Sequence, residues 1–332
     1  MTVESHPLAR RRFLRLAGSA AAVAVGARPA WPQAYPARAV RIIVPFSPGG
    51  AVDIIGRIVA QKLVESLGGQ FYVENVPAGS TNVANAMTAK ASPDGYTILF
   101  VTSSFVINPS YYHKIAYDPI KDFAPITLTA TSPHVLSVNL QMPVNSVQEL
   151  IALVKRNPGK YSYASAGTGQ SAQLAAELFK LAYGLDIVHV PFNGGAPAMA
   201  ATIGGHTEIS FNALPSAASF IKDGKVRALA MTSRARIPEF PEVPTFAEEG
   251  VPNQESAFIV GVAAPAGTPR EIVDLLNREL RRIIAIPDVT EKLNFIGYIA
   301  ETDTPDEFAA LLKSEIELWA RVIRDSKIQK VE

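Results

Sequence analysis

The chain has 332 residues, of which 48% are hydrophobic and 18% charged, with a formal net charge of +1 and no cysteine. That length exceeds one ordinary compact domain and that composition excludes a disordered chain, so a two-domain globular protein is expected. A near-neutral balance without a basic run beyond residue 15 excludes a nucleic-acid surface, and the missing cysteines exclude disulfides, thiol nucleophiles, cysteine metal sites and a lipid-modified N-terminal cysteine.

The first signal in chain order is one of export. Arg10, Arg11 and Arg12 precede Phe13, Leu14, Arg15 and Leu16, and an alanine-rich apolar stretch runs from Ala17 to Ala27. Basic residues, a short apolar core and small residues, in that order, make a secretory signal peptide. Arg10-Arg11-x-Phe13-Leu14-Arg15 resembles the twin-arginine motif, with Ala9 where Ser or Thr is usual. The core is shorter than the roughly 20 residues that span a bilayer. Residues 1–34 are therefore expected to be a signal peptide cut between Ala27 and Ala34, and the remainder to be periplasmic. Their removal takes away five arginines and one glutamate and leaves a mildly acidic chain, so any anion site in it must be local.

Beyond the leader, short β-rich runs alternate with helical patterns. VRIIV (40–44) reads as a strand and PFSPGG (45–50) as a glycine turn. A helix follows from Ala51, with Ile55, Val59, Leu63 and Leu67 at spacing four and a stop at Gly68-Gly69. Residues 70–75 read as the next strand, 82–91 as a helix and 94–100 as a buried strand behind an Asp-Gly turn. Residues 107–125, rich in Pro, Tyr and Asp, read as a long irregular connection. Ser146 with Glu149 forms a capping box for a helix that stops near Asn157-Pro158-Gly159. Strands at 161–165, 186–191, 207–212 and 226–232 then alternate with helices at 171–184, 195–204 and 215–222. Residues 256–264 read as a central strand. Two helices close the chain, one after Pro269 and one after Pro305. In the last, Phe308, Leu312, Ile316, Trp319 and Ile323 form an apolar stripe of core type.

This alternation predicts an α/β protein with largely parallel sheets. The ends and the middle read as separate blocks: 35–135 plus 256–332 as one lobe, 136–255 as the other. Two crossovers would then place a hinge and a cleft together.

Two glycine loops carry the functional signal. PFSPGG and ASAGTGQS (164–171) each follow a strand and open into a helix. The first N–H groups of such a helix lack partners and its dipole favours an anion, although a plain tight turn explains either loop alone. Two of them suggest two lobes gripping one anionic small molecule. Pro48, Gly49 and Gly50 expose backbone in the first loop. Gly167, Thr168, Gly169, Gln170 and Ser171 supply N–H groups, a hydroxyl and an amide in the second. Asp53, in the first helical turn, reads as a cap rather than a catalyst. A third loop, PFNGG (191–195), brings Asn193, and Asn212 ends a neighbouring strand; both suit either the cleft or turn chemistry.

Other chemistries lack their residues. Ala172 replaces the third glycine of a dinucleotide fingerprint, strand 186–192 carries His189 rather than an acid, and no Walker motif follows either loop. His113, His134, His189 and His206 show no i,i+4 pair and no HExxH, and no GxSxG elbow is present. No metal, no cofactor and no catalytic set is expected.

VRIIVPFSPGG (40–50) followed by Asp53 resembles the opening of the tripartite tricarboxylate transporter substrate-binding (Bug-type) proteins. The resemblance continues through DGYTIL (94–99), YDPIKDF (117–123), YASAGTGQS (163–171), VPFNGGAPA (190–198), VRALAMTS (226–233) and VPTFAEEG (243–250), and covers 35–330. It implies a two-lobed, type II-like periplasmic binding protein fold, with two mainly parallel sheets flanked by helices and a ligand cleft between lobes. It also implies that Ser47 to Val52 in one lobe and Gly167 to Gln173 in the other hold a ligand carboxylate through backbone N–H groups and bridging waters. The candidate ligand residues are then Phe46, Ser47, Pro48, Gly49, Gly50, Ala51, Asp53, Gly167, Thr168, Gly169, Gln170, Ser171, Gln173, Phe192, Asn193 and Asn212. Phe46, Phe105 and Phe192 would be apolar walls. Two departures stand out: Ala51 and Val52 follow the glycine pair where the family often has Thr or Ser, and Gln173 stands where His is common. The implied partners are a small mono- or dicarboxylate, aliphatic or aromatic, and membrane transporter subunits, with a membrane sensor or an exported enzyme on a carboxylated substrate as alternatives. The resemblance implies no cofactor and a monomer.

Overall fold

The computed structural model describes residues 35–332, so the export signal expected at 1–34 lies outside the described residues. Met1–Ala37 and Arg38–Glu332 form separate units, and all the elements below belong to the second.

β1 (Val40–Val44), β2 (Phe71–Asn75) and β3 (Thr97–Thr102) pair in parallel with β1 in the middle. Val40, Ile42, Ile43 and Val44 are fully buried, as a strand covered on both faces requires. Between them run α1 (Ala51–Leu67) and α2 (Asn82–Ala89). α1 buries Ile55, Val59 and Leu63, the predicted spacing-four stripe, and ends where the Gly68 N–H closes onto the Val64 carbonyl.

β3 runs straight into α3 (Ser103–Tyr111), so the stretch expected to be irregular from residue 107 begins as helix. Pro109 lies inside α3 and hides it from a propensity reading. A proline has no N–H for the carbonyl four residues back, here that of Phe105. The Tyr117 hydroxyl donates to that carbonyl instead, at 3.4 Å.

β4 (Phe123–Val138) is the axis of the molecule. From Phe123 to Pro133 it pairs antiparallel with β9 (Ala257–Pro265). From His134 to Val138 it pairs with β7 (Ile209–Ala213) on one side, and from Val135 to Val138 with β8 (Arg227–Met231) on the other. The first sheet therefore runs β2-β1-β3-β9-β4, with β10 (Ile299–Ala300) also on β4, and the second runs β4-β7-β5-β6. In the second, β5 (Ser162–Ser165) pairs in parallel with both β6 (Val188–Pro191) and β7. Its helices are α4 (Val147–Arg156), α5 (Ser171–Tyr183), α6 (Gly195–Ile203) and α7 (Leu214–Lys222).

Parallel pairing thus holds for β1–β3 and β5–β7, whereas every ladder of β4 and β9 is antiparallel. The sheets are mixed rather than mainly parallel. β4 carries the chain out of the first sheet and β9 brings it back alongside, and a strand returning beside the one it left runs against it.

Each sheet has its own core. Ile43, Leu99, Val101, Phe105, Phe123 and Trp319 belong to one cluster, which also takes in Leu174 of α5. Leu136, Leu150, Tyr163, Phe179, Phe211 and Phe246 belong to the other. α8 (Arg270–Ile284), α9 (Pro287–Phe295) and α10 (Pro305–Asp325) close the chain on the first sheet. α10 buries Phe308, Leu312, Trp319 and Ile323, each contributing about 1.5–3 kcal/mol. Thr304 and Glu307 form its complete capping box. The box expected ahead of α4 is half formed: Ser146 accepts the Glu149 N–H, but the Glu149 carboxylate takes the N–H of Asn145.

Candidate functional site

Because β1, β2 and β3 are parallel, the segments that leave them emerge on one edge of the first sheet: the loop at 45–50, the turn at 76–81 and the start of α3. The same holds in the second sheet for 166–170, 192–194 and the start of α7. In open parallel sheets ligands bind outside this carboxyl edge. Here the two edges face one another. Gln170 Nε2 lies 3.4 Å from Ser80 Oγ, and Ser104 Oγ lies 3.5 Å from Gln170 Oε1. The Tyr111 ring rests directly on Gly169.

The first loop is held by one carboxylate. Asp53, 2% exposed, accepts the Gly49 N–H at 2.8 Å and Arg57 Nε at 2.9 Å on one oxygen, and Asn75 Nδ2 at 2.8 Å on the other. Asn75 also donates to the Phe46 carbonyl, which ties the far end of the loop to β2. Burial pushes the Asp53 carboxyl up, but the bonds from Arg57, Gly49 and Asn75 outweigh it and hold the carboxyl below its usual range. Ser47, Pro48, Gly49 and Gly50 are exposed and Phe46 is half-buried. Gly50 caps α1 without a side-chain hydrogen bond, so Ala51 and the N–H groups beside it meet the cleft uncapped by any hydroxyl.

The second loop repeats this device without the charge. The Gly169 N–H donates to Gln173 Oε1 at 2.6 Å, again an acceptor four residues on, and Gln170 caps α5 with no side-chain bond. Where α1 starts with Ile54 N–H on the Gly50 carbonyl, α5 starts with Leu174 N–H on that of Gln170. Gln173 is thus the counterpart of Asp53. Gly167 and Thr168 form the crest, with Thr168 exposed.

Both ends of this loop are pinned by histidine. Ser165 Oγ meets His189 Nε2 at 2.7 Å, and Ser171 Oγ meets His134 Nε2 at 2.9 Å. Ser165 is fully buried, and its pairing with His189 anchors the loop. Burial lowers both rings to about 4, with the Lys180 charge assisting at His189. The folded state therefore favours neutral imidazole, while the unfolded chain takes up protons near 6.5. Stability is fully present above pH 6.5 and is lost as pH falls toward 4. Between pH 7.5 and pH 5, His134 alone is expected to remove about 2 kcal/mol. Urea midpoints across that range check this, and His134→Gln should flatten the dependence.

The third loop lies beside the second: the Gly194 N–H donates to the Ala166 carbonyl and the Phe192 N–H to that of Ser165. Asn193 is exposed and Phe192 half-buried. Asn212 lies buried at the end of β7, beside the third loop. It is 1% exposed, its amide nitrogen lies on Ser210 Oγ at 2.6 Å, and its oxygen is buried without a partner beside Gly195. Phe105 is no wall of the cleft: it is fully buried, stacked on Tyr117 and edge-on to Phe123.

Sequence reasoning missed Ser80, Ser104, Tyr111 and His134. Ser80 and Thr81 both have positive φ (49° and 72°), a strained pair at the rim of the cleft held by Asn108 Nδ2 on the Ser80 carbonyl at 2.8 Å. The available signal was Thr102-Ser103-Ser104 at the end of a buried strand. Among the described residues no group of His, Asp or Glu is placed to hold a metal ion, and no helix is long and apolar enough to cross a membrane. A cavity of about 670 Å³ lies elsewhere, lined by Pro133, Arg234, Phe240 and Tyr298 among others and by none of the three loops. The polar groups converge at the loops, which are therefore the candidate site.

Known proteins resemble this chain over most of its length. The family model described as "Tripartite tricarboxylate transporter family receptor" matches residues 55–328. The protein BugT of Bordetella pertussis is 34% identical over 317 residues, covering 95% of this chain and 97% of its own length. An R. palustris protein solved with adipate superposes with a TM-score of 0.79 at 33% identity, covering 90% of this chain and 100% of that one. A second, MatC from Rhodopseudomonas palustris with bound malate, gives 0.75 at 29% identity, over 87% and 100%.

Proposed function

The chain belongs to the tripartite tricarboxylate transporter receptor family, and on that premise we propose that it is a periplasmic solute-binding protein that captures a small carboxylate-bearing acid for a membrane transporter. One observation carries the reading: two helix N-termini without side-chain caps, α1 and α5, each preceded by a glycine loop stiffened by an acceptor four residues on. Such termini favour an anion through their N–H groups and their dipoles, and they need no basic side chain. The lobes would be 35–135 with 256–332, and 136–255. Closure would bring both loops onto the ligand, which is how binding shifts such a protein toward its closed state. The two R. palustris structures contain dicarboxylates, adipate and malate, which makes a second carboxylate at the far end of the cleft the first chemistry to try.

A receptor role suits the buried state of Ser165, whose contact with His189 is the nearest approach to a nucleophile–base pair in the site. Thermal-shift measurements against adipate, malate, benzoate and neutral sugars test the reading. At least one carboxylate is expected to raise the melting temperature by several degrees with micromolar affinity, about −8 kcal/mol. Stabilisation by neutral solutes but by no carboxylate would remove it.

A further inference from the structure

Two stretches of chain join the two sheets: β4 at Pro133–His134, and the return from β8 to β9, whose two ends are Thr232 and Ser256. Both converge on His134. Its N–H donates to Thr232 Oγ1 at 2.8 Å, and its carbonyl accepts the Thr232 N–H at 2.9 Å. Thr232 Oγ1 donates onward to the Ser256 carbonyl at 2.6 Å. The ring, fully buried, then spans two serines: Nδ1 lies 3.1 Å from Ser256 Oγ at the crossover, and Nε2 lies 2.9 Å from Ser171 Oγ. Ser171 opens α5 and directly follows Gly169 and Gln170, the residues that meet Tyr111, Ser80 and Ser104 across the cleft.

A neutral imidazole donates from one nitrogen and accepts at the other. The two serine hydroxyls are therefore linked in one polarity, and the bond at Ser256 sets the bond that Ser171 can make. We propose that His134 is the positioning residue that couples the hinge to the second loop. A change in the angle between the sheets moves Ser256 against β4, turns the ring, and resets the start of α5 where the loop meets its ligand. The proposal rests on the two-lobed carboxylate reading for its purpose, but its physical content stands in the ligand-free protein.

Amide hydrogen exchange of the 166–171 segment in the ligand-free full chain tests it. Ser256→Ala touches the crossover only. It is expected to speed exchange of that segment at least threefold and to leave α8 unchanged. In a His134→Gln background, where the amide reaches toward Ser171 and nothing reaches Ser256, Ser256→Ala should add nothing. Unchanged loop exchange in the single Ser256→Ala variant overturns the proposal. So does an equal increase in both backgrounds, which would route the effect around the ring. Should His134→Gln fail to fold, Ser171→Ala replaces it as the background, with the same expectation. Failure of every acid to shift the melting temperature would remove the ligand reading and leave this result intact.

Discussion

Gly169→Val is expected to reduce affinity for the bound acid at least a hundredfold, measured by calorimetry with whichever carboxylate stabilises the unaltered protein. Two independent costs combine. Gly169 has φ +74°, where a side chain costs about 1–2 kcal/mol. A Cβ there would also overlap the Tyr111 ring, which is 5% exposed and packed against Tyr112, so it cannot swing into solvent. Forcing such an overlap costs about 1–3 kcal/mol. The loop can escape only by moving off Tyr111, and that separates the second edge from the first. The effect should therefore fall mainly on affinity. Tyr111→Ala together with Gly169→Ala removes the overlap and should recover part of the binding, whereas a general folding defect would not be recovered.

Asp53→Ala is expected to lower stability by about 2 kcal/mol and affinity ten- to a hundredfold. The carboxylate is the acceptor for the Gly49 N–H, Arg57 and Asn75. The Arg57 side chain is 55% exposed, so losing that pair costs little. The stability cost comes from the Gly49 N–H and one N–H of the Asn75 amide, which lose their acceptor, while the other Asn75 N–H keeps the Phe46 carbonyl. The affinity cost arises because Gly49, φ +82°, loses the bond that fixes the loop in its binding shape. Asp53→Asn retains one acceptor and should fall between. The Asp53 carboxyl lies below its ordinary value of 3.8 in the fold, so its contribution is present above that pH and fades only as the pH drops through the lower folded value. Urea titrations at pH 7.5 separate the two variants.

The loops, the helices they open and most strands were legible because each rests on local chemistry. Glycine after a β-branched run and a spacing-four stripe after glycine need no tertiary information. β4 was harder. Pro125 and Pro133 both argue against a strand locally, and the structure accommodates Pro125 at a register shift and Pro133 at the last pair before the chain changes sheet. α3 was obscured by Pro109, whose effect is absorbed by a tyrosine eight residues further on. At the site, residues bound through backbone could be read from sequence. Those set by pairing between sheets could not. His134 reads as an isolated histidine until Ser171 and Ser256 are brought to its two nitrogens. Asn212 ends a strand beside the loops, and its sequence alone does not show that its oxygen lies buried beside Gly195 of the third loop.

Pro133 and Ala257 are register partners in an antiparallel ladder. Seen from the first sheet alone, β4 and β9 are the two arms of a β-hairpin, and residues 134–256 occupy the place of its turn. The second half of the site is thus an insertion at a hairpin tip, where chain ends already lie one ladder spacing apart and closing a long excursion costs little extra entropy. An Asn-Gly turn joining Pro133 to Ala257 would restore the hairpin and keep the first glycine loop in its sheet. In that sense the two-sided site is one recognition edge to which a second was added at a single point in the chain.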